Sequence, residues 1–192
     1  MTYAFIRHGQ TDWNLEGRLQ GSRDIPLNDT GRAQAHEAAQ GLKGAGWSVI
    51  VSSPKLRARE TAEIIAAELG LTLGPAYDEL VERDYGVLEG TSAAEAEAAH
   101  PNRDYPGAET IESTVERGRA ALARIADDYP DDEVIIVCHG TIIRYTLASL
   151  AGHIVDRPLN GSVSTFRLDG EAWEVLTVNG APLVAVAETD AG

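Results

Sequence analysis

Cysteine is nearly missing from this 192-residue sequence; Cys138 stands alone. An intrachain disulfide is therefore excluded, and so is a CxxC metal site. The lack of disulfides fits a reducing compartment, and a cytoplasmic protein is the expectation. Bases are scarce: 16 Lys and Arg face 30 Asp and Glu, a net charge of −14. That leaves no footprint for non-specific nucleic acid binding and none for adhesion to anionic membranes. Long apolar runs are missing as well. The most strongly apolar, Val134-Ile135-Ile136-Val137-Cys138, falls far short of a membrane span. Residues 1–20 hold no basic segment followed by an apolar core, so a signal peptide is not expected. No HExxH or comparable ligand spacing occurs, which counts against a metallohydrolase, and no cofactor is expected.

What is there reads as one domain over residues 1–192, at roughly 150 residues per domain. A chain of this length buries about 70% of its unfolded surface and needs no staple. Tyr3-Ala4-Phe5-Ile6, Val49-Ile50-Val51 and Val134 to Cys138 read as buried strands. Residues 7–28 are too rich in Gly and Asn for a helix. Asp29-Thr30 caps a helix ending near Gly44. Ser53 as cap and Pro54 as first residue open a helix to about Leu69, with Gly70 as its stop. A helix over Thr141 to Leu150 follows the third strand. Val163–Leu168 and Trp173–Val178 flank Asp169-Gly170, a hairpin signal. Unalternating apolar strands followed by helices imply a three-layer α/β/α fold with a mostly parallel sheet. Residues of about 90–130 show no strand and two helical stretches, Ser92–His100 and Thr110–Tyr129, and are expected to form an inserted helical flap. The end, Glu188–Gly192, looks frayed. The closing hairpin offers an edge compatible with a homodimer.

Parallel sheets bind ligands beyond the carboxyl ends of their strands. There this sequence places Arg7-His8-Gly9 after the first strand, Ser52-Ser53-Pro54-Lys55-Leu56-Arg57 after the second and His139-Gly140 after the third. Arg57 precedes Thr61 by four residues and Ile65 by eight, which puts it on the core-facing stripe of its helix; Arg59 turns away toward solvent. An Arg in the first helical turn opposes the macrodipole unless an anion binds there. Basic groups converging in an acidic protein suit a small phosphorylated metabolite. His36, His100 and His153 lie outside this pattern and read as surface or packing residues.

The residues Phe5-Ile6-Arg7-His8-Gly9-Gln10-Thr11-Asp12-Trp13-Asn14 resemble the N-terminal signature of the histidine phosphatase (phosphoglycerate mutase-like) superfamily. The resemblance continues through Pro26 to Gly31, Ser52 to Ala62, Glu82 to Gly90 and Val137 to Arg144, in the family's order and over most of the chain. It implies that His8 is the nucleophile and Glu82 the proton donor. Arg7, Arg57 and His139 would hold the phosphoryl group, and Asn14, Gln20 and Gly21 fall where the family contacts phosphate or substrate. The residues alone do not choose among Glu79, Glu82, Asp84 and Glu89; the resemblance selects Glu82. Two positions depart from the pattern. Val81 stands where Arg is frequent and Cys138 where Ser is frequent, and the first leaves the substrate pocket open.

The expected chemistry is hydrolysis of small phosphomonoesters through a phosphohistidine. Neutral His8 attacks with one ring nitrogen while the other donates to a backbone carbonyl. The sequence does not say which nitrogen does which. His139 is expected protonated. Rival readings are phosphoglycerate mutase-type transfer, a catalytically silent phospholigand module and a metallohydrolase. A fourth is a cysteine-dependent phosphatase, since Cys138 and Arg144 have that class's spacing. Against the last, Ile142 and Ile143 read as a helix core face, too bulky for a phosphate cradle. The resemblance gives mutases longer chains and more basic contacts. Here the expected flap carries only Arg103, Arg117, Arg119 and Arg124, which favours hydrolysis. Arg103, beside Tyr105, is the best candidate for a substrate-facing cation, against the reading of a solvated loop arginine.

Overall fold

The computed structural model describes residues 1–183; the frayed end expected over 188–192 lies outside them. Its sheet has six strands. These are β1 (Thr2–Arg7), β2 (Val49–Ser52), β3 (Leu73–Ala76), β4 (Val134–Cys138), β5 (Val163–Asp169) and β6 (Ala172–Val175), in the order β3-β2-β4-β1-β5-β6. The first four are parallel; β5 runs antiparallel to β1, and β6 to β5. The mostly parallel sheet expected from the apolar runs is therefore present, with an antiparallel hairpin on one edge.

Alternation along the central strands divides the core between two faces. Ile6, Ile135 and Val137 face α2 (Asp29–Leu42) and α3 (Leu56–Leu69) through Ala38, Ala39, Ala58, Ala62 and Ile65. Tyr3, Phe5, Val134, Ile136 and Cys138 face the opposite layer, α5 (Ile111–Asp128) and α6 (Gly140–Ala151), through Leu122, Ile125, Ile142 and Leu147. Two helical layers thus enclose the sheet.

The expected flap divides in two. α4 (Ala93–Ala99) and the loop after it gather around a satellite cluster of Leu19, Tyr85, Ala96 and Tyr105. α5, by contrast, buries Ala121, Leu122 and Ile125 against the main core, so it is a layer of the fold and not part of a flap. Its amphipathic stripe was legible; the surface that stripe covers was not.

Three local expectations change. Residues 12–15 form a short helix, α1 (Asp12–Leu15), because Thr11 and Asn14 make a reciprocal capping box. α3 opens at Leu56 and not at Pro54. Its cap position, Lys55, has no side-chain bond; Asp24 instead accepts the Leu56 N–H at 2.7 Å. The second hairpin strand breaks at Leu176, after which β7 (Thr177–Val178) pairs with β8 (Ala181–Pro182).

Candidate active site

The parallel register lays the ends of β1, β4 and β2 side by side. Arg7 pairs with Cys138, and Ser52 with Val137. The residues just beyond remain tied to the neighbouring strand: the His8 N–H reaches the Cys138 carbonyl at 3.0 Å, and the Ser53 N–H reaches that of Val137 at 2.9 Å. His8, Ser53 and His139 are therefore brought together by sheet order. All three are buried, and the two imidazoles meet edge to face with centroids 5.2 Å apart.

The His8 ring is held from both sides. Its Nδ1 lies 2.7 Å from the Gly9 carbonyl oxygen, which can only accept, so Nδ1 carries the proton. Nε2 is left with a lone pair and accepts from Arg57 Nε at 3.2 Å. Burial, then the nearby Arg57 and Arg7 charges, holds His8 well below the usual imidazole range. The ring is neutral, and Nε2 is its basic atom.

Arg57 is fully buried on α3, as its helical register requires. Its two terminal nitrogens donate to the carbonyls of Arg23 (2.7 Å) and Gly21 (3.0 Å). Gly21 thus shapes the site through its carbonyl. It has φ of 54°, and a Cβ there would lie 2.0 Å from a carboxylate oxygen of Glu89. Arg7 reaches the Pro158 carbonyl at 2.9 Å, while its buried Nε has no partner among the described residues. Burial and the neighbouring Arg157 push Arg7 down to about 10, and Glu82 opposes them. It stays charged at neutral pH.

Glu82 faces the same cavity. One carboxylate oxygen accepts from the Thr141 N–H at 3.0 Å. The other accepts from Arg83 N–H at 2.9 Å and Ile142 N–H at 3.3 Å. The free donors of the first turn of α6 thereby orient the carboxylate. Asn14 and Gln20 also line the cavity. Asn14 Oδ1 accepts from Thr11 N–H (3.1 Å) and from Asn160 Nδ2 (3.1 Å), which turns its amide nitrogen away from those donors.

His139 differs from expectation. Burial, then Arg57, His8 and Arg7, holds it well below the ordinary imidazole range, which favours the neutral ring over the expected protonated one. Its Nε2 lies 2.8 Å from Ser53 Oγ, and its buried Nδ1 has no partner among the described residues. Cys138 is wholly enclosed in β4, and burial pushes its thiol up. A thiol is not a nucleophile in that state, which removes the cysteine-phosphatase reading. Arg103 lines the cavity and is joined to Glu97 at 2.5 Å.

The cavity is about 610 Å³. Six arginines and three glutamates line it, so its wall is net cationic in a protein of charge −14. Two contributors were missed in the sequence. Ser53 reads there as a helix cap, a role it does not fill. Asn160 donates to the His8 carbonyl at 3.0 Å from 152 residues away, and no local pattern marks it.

A neutral imidazole with one lone pair, set among buried guanidinium groups and sharing a cavity with a carboxylate held at a helix N-terminus, is chemically suited to bind and accept a phosphoryl group. The chain belongs to the histidine phosphatase superfamily (branch 1), whose family model matches residues 3–180. It is similar to the uncharacterized phosphatase PhoE of Bacillus subtilis, 39% identical over 180 residues, which cover 92% of this chain and 93% of that protein. Phosphoglycerate mutase-like protein 4 of Arabidopsis thaliana is 38% identical over 186 residues, covering 88% and 81%. Among solved structures, Bacillus stearothermophilus YhfR superposes with a TM-score of 0.84 at 25% identity, covering 96% and 98%. The fold and the superfamily together define an enzyme with phosphatase or mutase-like activity. Among the described residues no helix is long and apolar enough to cross a membrane.

Proposed function

We propose that this protein hydrolyses small phosphomonoesters through a phosphohistidine on His8. One observation carries the reading: Nδ1 is committed to the Gly9 carbonyl, so the unprotonated Nε2 is the atom that attacks, its lone pair freed as the Arg57 Nε–H turns from it to a phosphoryl oxygen. Arg7 Nε and His139 Nδ1, both buried without a partner among the described residues, supply groups that an anion would satisfy.

In the first step Nε2 forms a bond to phosphorus and the ester P–O bond breaks. Glu82, in its carboxylic acid form, gives its proton to the departing alkoxide. Arg57 and Arg7 fork onto the non-bridging oxygens, each charged hydrogen bond contributing roughly 1.5–3 kcal/mol. In the second step Glu82 takes a proton from water as that water attacks phosphorus. The P–N bond breaks and phosphate leaves, with His8 again neutral. The chemistry uses no metal. Asn14 and Gln20 contact the phosphoryl group or the substrate, and Gly21 acts through the carbonyl that holds Arg57. A cytoplasmic location accords with the single, buried Cys138.

The test is a panel of phosphomonoesters run beside 3-phosphoglycerate isomerisation with and without 2,3-bisphosphoglycerate. We expect phosphate release to exceed isomerisation, an acid-labile phosphoryl label on His8, and background rates for His8→Ala. Isomerisation as the main product would establish the mutase alternative. Turnover that survives in His8→Ala would overturn the mechanism, and binding without label or turnover would indicate a silent phospholigand module.

A further inference from the structure

The hydroxyl of Ser53 has two neighbours among the described residues. The Lys55 N–H donates to it at 3.4 Å, and His139 Nε2 lies 2.8 Å away. Ser53 and His139 are both 0% exposed, so solvent does not serve as partner for either.

Two proton arrangements are open to this pair. If His139 Nε2 carried the proton and donated to Ser53, the serine oxygen would accept twice. Its own proton would then have no acceptor among the described residues, and the lone pair on His139 Nδ1 would be orphaned too. Two buried polar groups would be left unsatisfied. In the other arrangement Lys55 donates to Ser53, Ser53 donates to Nε2, and the ring proton sits on Nδ1. A single group, the Nδ1–H, then remains, and it is a donor beside His8. Buried polar groups are overwhelmingly satisfied, and each one left unpaired is destabilising, so the second arrangement wins.

We propose that Ser53 is a positioning residue of this site, its hydroxyl donating to Nε2 of His139 and so holding that ring, uncharged, as an Nδ1–H donor to the phosphoryl oxygens. The proposal rests on the reading of His8 as the phosphoryl acceptor. It removes the need for two histidines with opposite charge side by side. The charges that act most strongly on His139 are Arg57, Arg7 and Lys55, all cations, with neutral His8 beside them, while the Glu82 carboxylate is held on the Thr141 and Ile142 N–H groups. A second positive ring among them would be repelled, whereas an oriented neutral donor would not. The serine at this place thus sets a tautomer, which the Asp and Glu partners of other histidines do by charge.

The test is a two-bond ¹⁵N–¹H correlation spectrum of the labelled protein, with His139 assigned by its loss in His139→Gln. The wild type is expected to show the Nδ1–H form of His139 from pH 6 to 8, and orthovanadate to move that nitrogen's resonance. Ser53→Ala is expected to release the tautomer and to weaken orthovanadate inhibition about tenfold, the effect of one hydrogen bond. Ser53→Thr, which keeps the hydroxyl, restores both. An Nε2–H ring or an imidazolium in the wild type would overturn the proposal without any variant. So would Ser53→Ala with an unchanged tautomer and unchanged inhibition. An active phosphatase with an Nε2–H ring sinks this inference alone. An Nδ1–H ring in a chain that turns over no phosphoester sinks the proposed function but leaves the action of Ser53 on the ring standing.

Discussion

Arg57 Nε donates to His8 Nε2 at 3.2 Å, while both terminal nitrogens of the same guanidinium hold backbone carbonyls of the segment from Gly21 to Arg23. One side chain therefore sets the position of the nucleophilic atom and the wall of its cavity. Burial first, and then the charge Arg57 brings, keeps the ring unprotonated, and the planar fork of that side chain keeps the geometry rigid.

Replacing Arg57 by Lys keeps the charge but loses the fork. A single ammonium cannot serve two carbonyls and a phosphoryl oxygen together. We expect kcat/KM to fall about 10²–10³-fold, with stability lower by about 1–3 kcal/mol from the carbonyls left unpaired. Steady-state kinetics below the melting temperature, with a denaturant titration alongside, separate the two effects.

Glu82→Gln should reveal the proton donor through the leaving group. Alkyl phosphates, whose alkoxides need a proton, are expected to slow by about 10²–10⁴. p-Nitrophenyl phosphate, whose phenolate leaves unaided, should slow far less. Equal losses on both substrates would remove Glu82 from the acid role.

Stability carries a pH signature with a definite sign. His8 and His139 are both held well below the ordinary value of 6.5, in each case chiefly by burial. Below pH 6.5 the unfolded chain takes up protons on these rings that the folded chain refuses. The unfolded state then binds more protons, so stability is intact above 6.5 and is lost as pH falls. The slope is up to ~1.4 kcal/mol per pH unit for each ring. The melting temperature is expected to drop between pH 6.5 and 5, and His8→Asn to make the drop shallower. A melting temperature independent of pH over that window would contradict burial of two neutral imidazoles.

Gly9 stands where the loop after β1 meets the start of α2. A Cβ at Gly9 would lie 2.2 Å from the Gly31 carbonyl oxygen, a backbone atom that cannot swing aside. Gly9→Ala is expected to cost about 1–3 kcal/mol or more. It should also lower kcat, because the Gly9 carbonyl that orients His8 Nδ1 must move. Denaturant midpoints and turnover measured on the same preparation check both.

The sequence alone determined the parts of this protein that depend on near neighbours. Three buried strands, the helices behind them and the two His-Gly steps at strand ends follow from local apolar runs and their breaks. The inward face of Arg57 follows from a period of 3.6 residues. Which glutamate serves as acid did not follow from the residues, and only the family's ordered blocks pointed to Glu82. Tertiary structure decided the rest. α5 became a core layer, although its segment read as part of a flap, because the sheet needed a second face covered. Ser53 met His139 across 86 residues, and Asn160 met His8 across 152. Those meetings depend on the order β2-β4-β1-β5 and on strand register, which a local pattern does not encode. The downward push on both imidazoles likewise comes from burial and from neighbouring arginines that only the folded chain assembles.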